Sequence, residues 1–252
     1  MRLSVAFVLA LAALAHAGLA SAAAATTSST NWSGYAVLGA SFSDVKGTWT
    51  QPAASCTGRS AFAAFWVGLG GAGPRSRGLE QIGTDSDCRG GVPTYSVWYE
   101  LLPAVETPIA MSVAPNDTIA AEVSVAGDVV TLSITDVTTG ATFTTQATPT
   151  ILDTSSAEWI AEAPSRCRGR VASRCTPLPL ASFGTVAFSS ASATAAGQAA
   201  AIASPSWSVD AIRLIGNAGS AKPSELADDG ASFTISAQQP SLPAPARSFG
   251  PV

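Results

Sequence analysis

Charge is the first thing this 252-residue chain has little of: only 12% of its residues are Asp, Glu, Lys or Arg, about half the usual share. The thirteen basic residues form no block and are outnumbered by seventeen acidic ones, which leaves a net charge of −4 and argues against binding a phosphate backbone. Histidine is scarcer still. The single His16 lies in MRLSVAFVLALAALAHAGLASA, where Arg2 precedes an apolar run from Leu3 to Ala15 and small residues supply two A-x-A-like cleavage sites. That pattern reads as a secretory signal peptide over residues 1–22, and the run falls short of the roughly 20 residues that span a bilayer. Its removal leaves no imidazole, which excludes Ser-His-Asp and Cys-His catalysis. No later stretch is apolar enough for a membrane, so the expected localisation is extracellular.

Cysteine is sparse but even in number. Cys56, Cys88, Cys167 and Cys175 all lie in the exported part, where disulfides persist. Four cysteines allow three pairings; the favoured one joins Cys56 to Cys88 and Cys167 to Cys175, the second closing a short loop through Arg168, Arg170 and Arg174. A zinc tetrathiolate needs closer pairs than these, so no metal is expected. No phosphate loop or nucleotide fingerprint occurs, and GLGGAG at Gly68–Gly73 opens no apolar-periodic helix and reads as a turn. The inventory implies no cofactor.

What the chain does have is period-two alternation. In Thr118–Gln146, Ile119, Val123 and Val125 share one strand face and Val130, Leu132 and Ile134 another, with AGD and TTG as turns, which predicts an antiparallel meander. Similar runs at YAVLGASF, VKGTWTQ, AFAAFWVGL, TYSVWYELL, AEWIAEA, FGTVAFSSA and ASFTISA, punctuated by Gly, Pro, Ser and Asn, predict a β-sandwich or barrel. Ala191–Ser204 is open to a helix on propensity, or to a loop or edge strand. The expected divisions are the signal at 1–22, a short linker or propeptide remnant at 23–30, one domain at 31–238 and a Pro-rich mobile tail at 239–252. Nothing in the sequence calls for more than a monomer.

Six motifs then occur in a telling order: NWSGYAV (31–37), VKGTWTQP (45–52), FWVGLGG (65–71), LEQIGTDSDC (79–88), YSVWYELLP (95–103) and AEWIAE (157–162). A weaker echo follows in FGTVAFSSA and WSVDAIRLIG. This series resembles the glutamic peptidases, the eqolisins, across nearly all of the exported chain. The resemblance implies an all-β fold, an antiparallel β-sandwich of two sheets of the concanavalin A-like or jelly-roll type, whose concave side takes a polypeptide substrate. It places the catalytic glutamine at Gln81 and the catalytic glutamate at Glu162, with Trp66, Trp32 and Glu100 on the substrate side. One departure is Gly70, where the family motif W-V-G-I-D-G carries an acid.

The residues can be read without the name. Alternate residues of a strand share a face, so Glu158 and Glu162 point the same way but stand about 13 Å apart, too far to share a proton. A lone carboxyl beside an amide is the natural arrangement, with Glu162 taking a proton from water and passing it to the departing amine while the Gln81 amide donates to the oxyanion. Each residue has a plainer role open to it. Trp159 and Trp98 suit a core, Asp85 and Asp87 suit turn capping, Glu100 suits a cross-strand polar pair, and the NWS and NDT sequons at Asn31 and Asn116 suit glycosylation. Two other functions compete: a carbohydrate-binding module lined by tryptophans, or a glycoside hydrolase with carboxyls roughly 5–10 Å apart.

Overall fold

The computed structural model describes residues 24–73, 76–167 and 175–238. The signal segment, the Pro-rich tail and Arg168, Arg170 and Arg174 lie outside the described residues. The strands are β1 (Ala25–Ser29), β2 (Trp32–Leu38), β3 (Phe42–Thr50), β4 (Ala64–Gly70), β5 (Leu79–Arg89), β6 (Val92–Leu101), β7 (Thr107–Ile109), β8 (Thr118–Ala126) and β9 (Val129–Asp136). They continue as β10 (Thr142–Ala147), β11 (Ser156–Glu162), β12 (Ser165–Cys167), β13 (Cys175–Pro177), β14 (Thr185–Ala195), β15 (Gln198–Ala201), β16 (Ser208–Gly216), β17 (Gly219–Pro223) and β18 (Phe233–Gln238). Among the described residues there is no helix.

The hydrogen-bonded order is β10-β9-β8-β3-β14-β18-β17-β16-β2-β11-β4-β5-β6-β7, antiparallel throughout. This path folds back on itself, so that β3 and β8 pack over β4, β11 and β5 as the two layers of a sandwich. The expected layers are there, joined through β17 and β18 into one continuous ladder. Period-two patterning decides which residues meet between the layers. Val45, Trp49, Ile119, Val123, Leu132 and Ile134 from one layer face Phe65, Val67, Ile82, Ala157 and Trp159 from the other, all buried in one core. Trp159 belongs to that core and donates from Nε1 to the Lys46 carbonyl at 2.8 Å.

Of three expectations on local structure, one left open is settled and two resolve differently. Ala191–Ser204 becomes the end of β14, the hairpin strand β15 and its exit, because pairing with β3 overrides alanine's helix preference. Its turn places Ala196 and Gly197 at positive φ, as a two-residue hairpin connection of the mirror-image type requires. Residues Gly68–Gly70 of the glycine run finish β4 rather than forming a turn. Ala25–Ser29, read as linker, pairs in parallel with Asp210–Leu214 of β16. The disulfides join Cys56 to Cys88 and Cys167 to Cys175, the latter stapling the β12–β13 hairpin.

Candidate active site

Antiparallel partners directly opposite each other share a face, and the register of β11, β4, β5 and β6 lays three parallel rungs across the outer face of one layer. Glu162 faces Ala64, Asp85 and Ser96; Ile160 faces Trp66, Gly83 and Trp98; Glu158 faces Gly68, Gln81 and Glu100. Successive rungs are about 6.6 Å apart along the strands. The site residues expected from sequence, Gln81, Glu100, Glu162 and Trp66, therefore lie on one face, with Trp32 at the β2 position opposite Glu162.

The middle rung is built on an absent side chain. A Cβ at Gly83 would stand 2.3 Å from the Phe65 carbonyl oxygen and 2.6 Å from the Trp66 Cβ, so only glycine lets β5 pass β4 here between two indoles. Gly83→Ala is expected to cost at least about 3 kcal/mol by forcing these strands apart, a loss that thermal unfolding would register as a large drop in Tm.

Both indoles aim their N–H groups at the Glu162 rung. Trp66 Nε1 donates to Glu162 Oε2 at 2.9 Å, and Trp98 Nε1 donates to Asp85 Oδ1 at 2.8 Å. Trp66 is fully buried, which differs from the substrate wall expected of it; its contact is with Glu162. Trp32, only partly buried, packs edge-on against Trp66 with ring centroids 5.0 Å apart and is the indole that faces outward.

Asn31 is a site residue that the sequence offered only as a sequon. Its Nδ2 donates to Glu162 Oε1 at 2.9 Å, while the Ser29 hydroxyl caps the turn into β2 by accepting from the Asn31 and Trp32 amides. Burial pushes the Glu162 carboxyl up to about 7, opposed by the bonds from Asn31 and Trp66 and reinforced by the nearby charge of Glu100. Asn31→Ala removes a donor that favours the carboxylate, so the pH at which Glu162 ionises should move upward. A pH profile of kcat/KM should record this as about a tenfold loss at its acid end.

On the third rung Gln81 Nε2 donates to Glu100 Oε2 at 2.7 Å, the cross-strand pair that their register allows. Gln81 Oε1 is buried with no protein partner. Burial raises Glu100 to about 7 against the pull of the Gln81 bond. Asp85 and Asp87, two candidates for turn capping, stand within β5 instead. Burial first, then the charge of Asp87, raises Asp85 to about 8, and the carboxyl accepts from Ser96 as well as Trp98. Gln81 and Glu162 make no direct hydrogen bond; the tryptophan rung separates them. Glu158, on the Gln81 rung, is fully buried with both carboxyl oxygens unpartnered. Among the described residues no cluster of His, Cys, Asp or Glu has the makings of a metal site.

One face of the sheet thus carries a carboxyl held by an indole and an amide and, two rungs away, a glutamine held by a second carboxyl. The profile of the peptidase A4 family matches residues 30–234. The chain belongs to the peptidase A4 family. Scytalidopepsin B of Scytalidium lignicola is 30% identical over 183 residues, 70% of this chain and 68% of that protein. Scytalido-glutamic peptidase, solved with a transition-state analog inhibitor, superposes with a TM-score of 0.72 at 25% identity, over 83% of this chain and 98% of that one. SCP-B, described as a member of the eqolisin family in complex with the tripeptide Ala-Ile-His, gives a TM-score of 0.67 at 25% identity over the same shares. Aspergilloglutamic peptidase from Aspergillus niger shares the fold at 22% identity, with a TM-score of 0.59 over 71% of this chain and 99% of that one.

Membership in the A4 family makes this chain a glutamic peptidase, a peptide-bond hydrolase, and the carbohydrate-binding and glycosidase alternatives give way to it. At Gly70, where the eqolisin motif carries an acid, the backbone sits at φ 78° and Asp153 fills the space. Asp153 had no place in the sequence reading, and the only local sign of it was the missing side chain at Gly70.

Proposed function

We propose that the chain is a secreted acid endopeptidase in which Glu162 transfers the protons and Gln81 stabilises the oxyanion, without metal or organic cofactor. An extended polypeptide lies across the outer face of β11, β4, β5 and β6, with its scissile carbonyl between the Glu162 and Gln81 rungs. The observation that carries this reading is the reciprocal fixing of the two groups: Asn31 and Trp66 orient the Glu162 carboxyl, and Glu100 orients the Gln81 amide. A glutamine amide has two N–H donors. Glu100 takes one, which leaves the other for the oxygen of the tetrahedral intermediate.

The atoms balance without a covalent enzyme intermediate. The Glu162 carboxylate accepts a proton from water as its oxygen bonds to the carbonyl carbon, and the resulting carboxylic acid returns that proton to the amide nitrogen as the C–N bond breaks. With Glu162 ionising at about 7, the ionised fraction falls tenfold for each pH unit below that value. On the alkaline side the other buried carboxyls lose their protons and the groove loses its support, so the two effects together place the maximum just below neutrality, with activity declining toward stronger acid. Gln81 is unaffected, because an amide stays neutral and donating throughout this range.

Export is supported by the N-terminal segment together with two closed disulfides, which persist in oxidising compartments. The test is cleavage of an unfolded protein by the purified exported chain from about pH 2 to 9, spanning the reference glutamate value near 4.3 and the raised carboxyl range, with an inhibitor of two-aspartate proteases present. Inhibitor-resistant cleavage that disappears above neutrality is expected. A folded chain that cuts nothing at any pH would sink the reading.

A further inference from the structure

We propose that Asp153 is a positioning residue for hydrolysis: its carboxylate ties the β4–β5 connection to the chain entering β11, and so holds Trp32 against Trp66, the indole that donates to Glu162. The inference rests on the reading of Glu162 as the catalytic carboxyl.

The contacts form an unbroken series. A Cβ at Gly70 would stand 2.7 Å from the Asp153 Cβ, 2.7 Å from its carbonyl oxygen and 2.8 Å from the Gly78 carbonyl oxygen, so the two backbones touch only because residue 70 has no side chain. Asp153 Oδ2 accepts from Ser76 Oγ at 2.6 Å and from the Arg77 amide at 3.1 Å. Oδ1 accepts from the Ser155 amide at 2.9 Å and its hydroxyl at 2.6 Å. Ser76 Oγ in turn accepts from the Gly71 amide at 2.7 Å. Gly71 packs closely against Trp32, where a Cβ would stand 2.8 Å from Cη2. Trp32 packs edge-on against Trp66, and Trp66 donates to Glu162.

The carboxylate form is the one these partners select. Desolvation would raise Asp153, but the bonds from Ser155, Ser76 and Arg77 outweigh it and hold the group below the ordinary aspartate range. Its titratable neighbours are Glu80 of β5, whose Oε1 accepts from the Asp153 amide at 3.4 Å, and Glu158 of β11, whose ionisation its charge opposes. Asp153 is therefore the charged member of this group while Glu80 and Glu158 stay protonated, and the clamp survives in acid.

The experiment is a double-mutant cycle on Ser76→Ala and Asp153→Asn, with kcat and KM measured from about pH 2 to 8, bracketing both carboxyl ranges, alongside Tm. Each folded single variant is expected to lower kcat/KM about tenfold and to move the limb belonging to Glu162 to higher pH, because Trp66 donates less well once Trp32 is released. The double variant should be no worse than either single one, since both break the same clamp, and Ser76→Thr, which keeps the hydroxyl, should restore the wild-type limb. Variants that lose only Tm, with kcat, KM and the limb unchanged beside an inactive Glu162→Gln, would overturn this proposal alone. An active Glu162→Gln would instead overturn the catalytic reading beneath it.

Discussion

Glu162→Gln is expected to lower kcat at least about a thousandfold, within the 10²–10⁴ range that general acid-base groups contribute, while leaving the fold at pH 4 intact. The second half of that statement follows from the site. Burial raises Glu162 to about 7, so at pH 4 the position is already occupied by a neutral side chain, and a neutral glutamine of the same size replaces it without burying a new charge. Its carbonyl oxygen can still accept from Asn31 or Trp66, whereas the amide cannot take a proton from water. Gln81→Ala should cost about 10²–10³ in kcat through the lost oxyanion donor, with the folded state again present by circular dichroism. Each measurement asks a different question: loss of turnover with unchanged Tm locates chemistry, and parallel loss of both would mark these residues as mere supports.

Much of the fold was legible because burial follows strand period. Ile119, Val123, Val130, Leu132 and Ile134 alternate as a half-buried meander must, and they are buried in the core as that alternation predicts. The rungs of the site were not legible. Gln81 and Glu162 are 81 residues apart in the sequence, and only the pairing of β4 with both β5 and β11 puts them on one face. A one-residue slip would have sent Gln81 to the opposite face. Asn31 carries no mark of its role, because a sequon and a Glu162 ligand look the same in one dimension. Trp66 reads from the sequence as a substrate wall, and nothing in one dimension shows that its Nε1 donates to Glu162. Gly70 and Gly83 announce close approach without naming what approaches; for one it is Asp153, for the other the Phe65 carbonyl and the Trp66 side chain.

Raising the pH should unfold this protein well before alkaline conditions are reached. Burial is the first cause in each case: it lifts Glu80 and Asp85 to about 8, Glu100 and Glu162 to about 7, and Glu158 well above the usual glutamate range. A carboxyl raised in the folded state binds its proton more tightly there than in the unfolded chain, so the folded state is favoured by protonation. Its contribution is complete below the unfolded value near 4 and is lost as pH rises through 7 to 8. Each pKa unit corresponds to about 1.4 kcal/mol, so ionising a group displaced as far as Glu80 costs on the order of 3–5 kcal/mol. Two such groups rival the roughly 5–15 kcal/mol that holds a typical domain together. Tm is therefore expected to fall steeply between about pH 5 and 8, the interval between the two sets of values, and a flat profile there would show that the carboxyls are not buried as described. Glu158 offers the sharper test, because it is fully buried and desolvation outweighs what the nearby Ser156 hydroxyl and Ala72 amide offer its charge. Glu158→Gln should leave Tm at pH 4 nearly unchanged and raise it at pH 7, where the wild type must either keep a proton on Glu158 or bury a bare carboxylate.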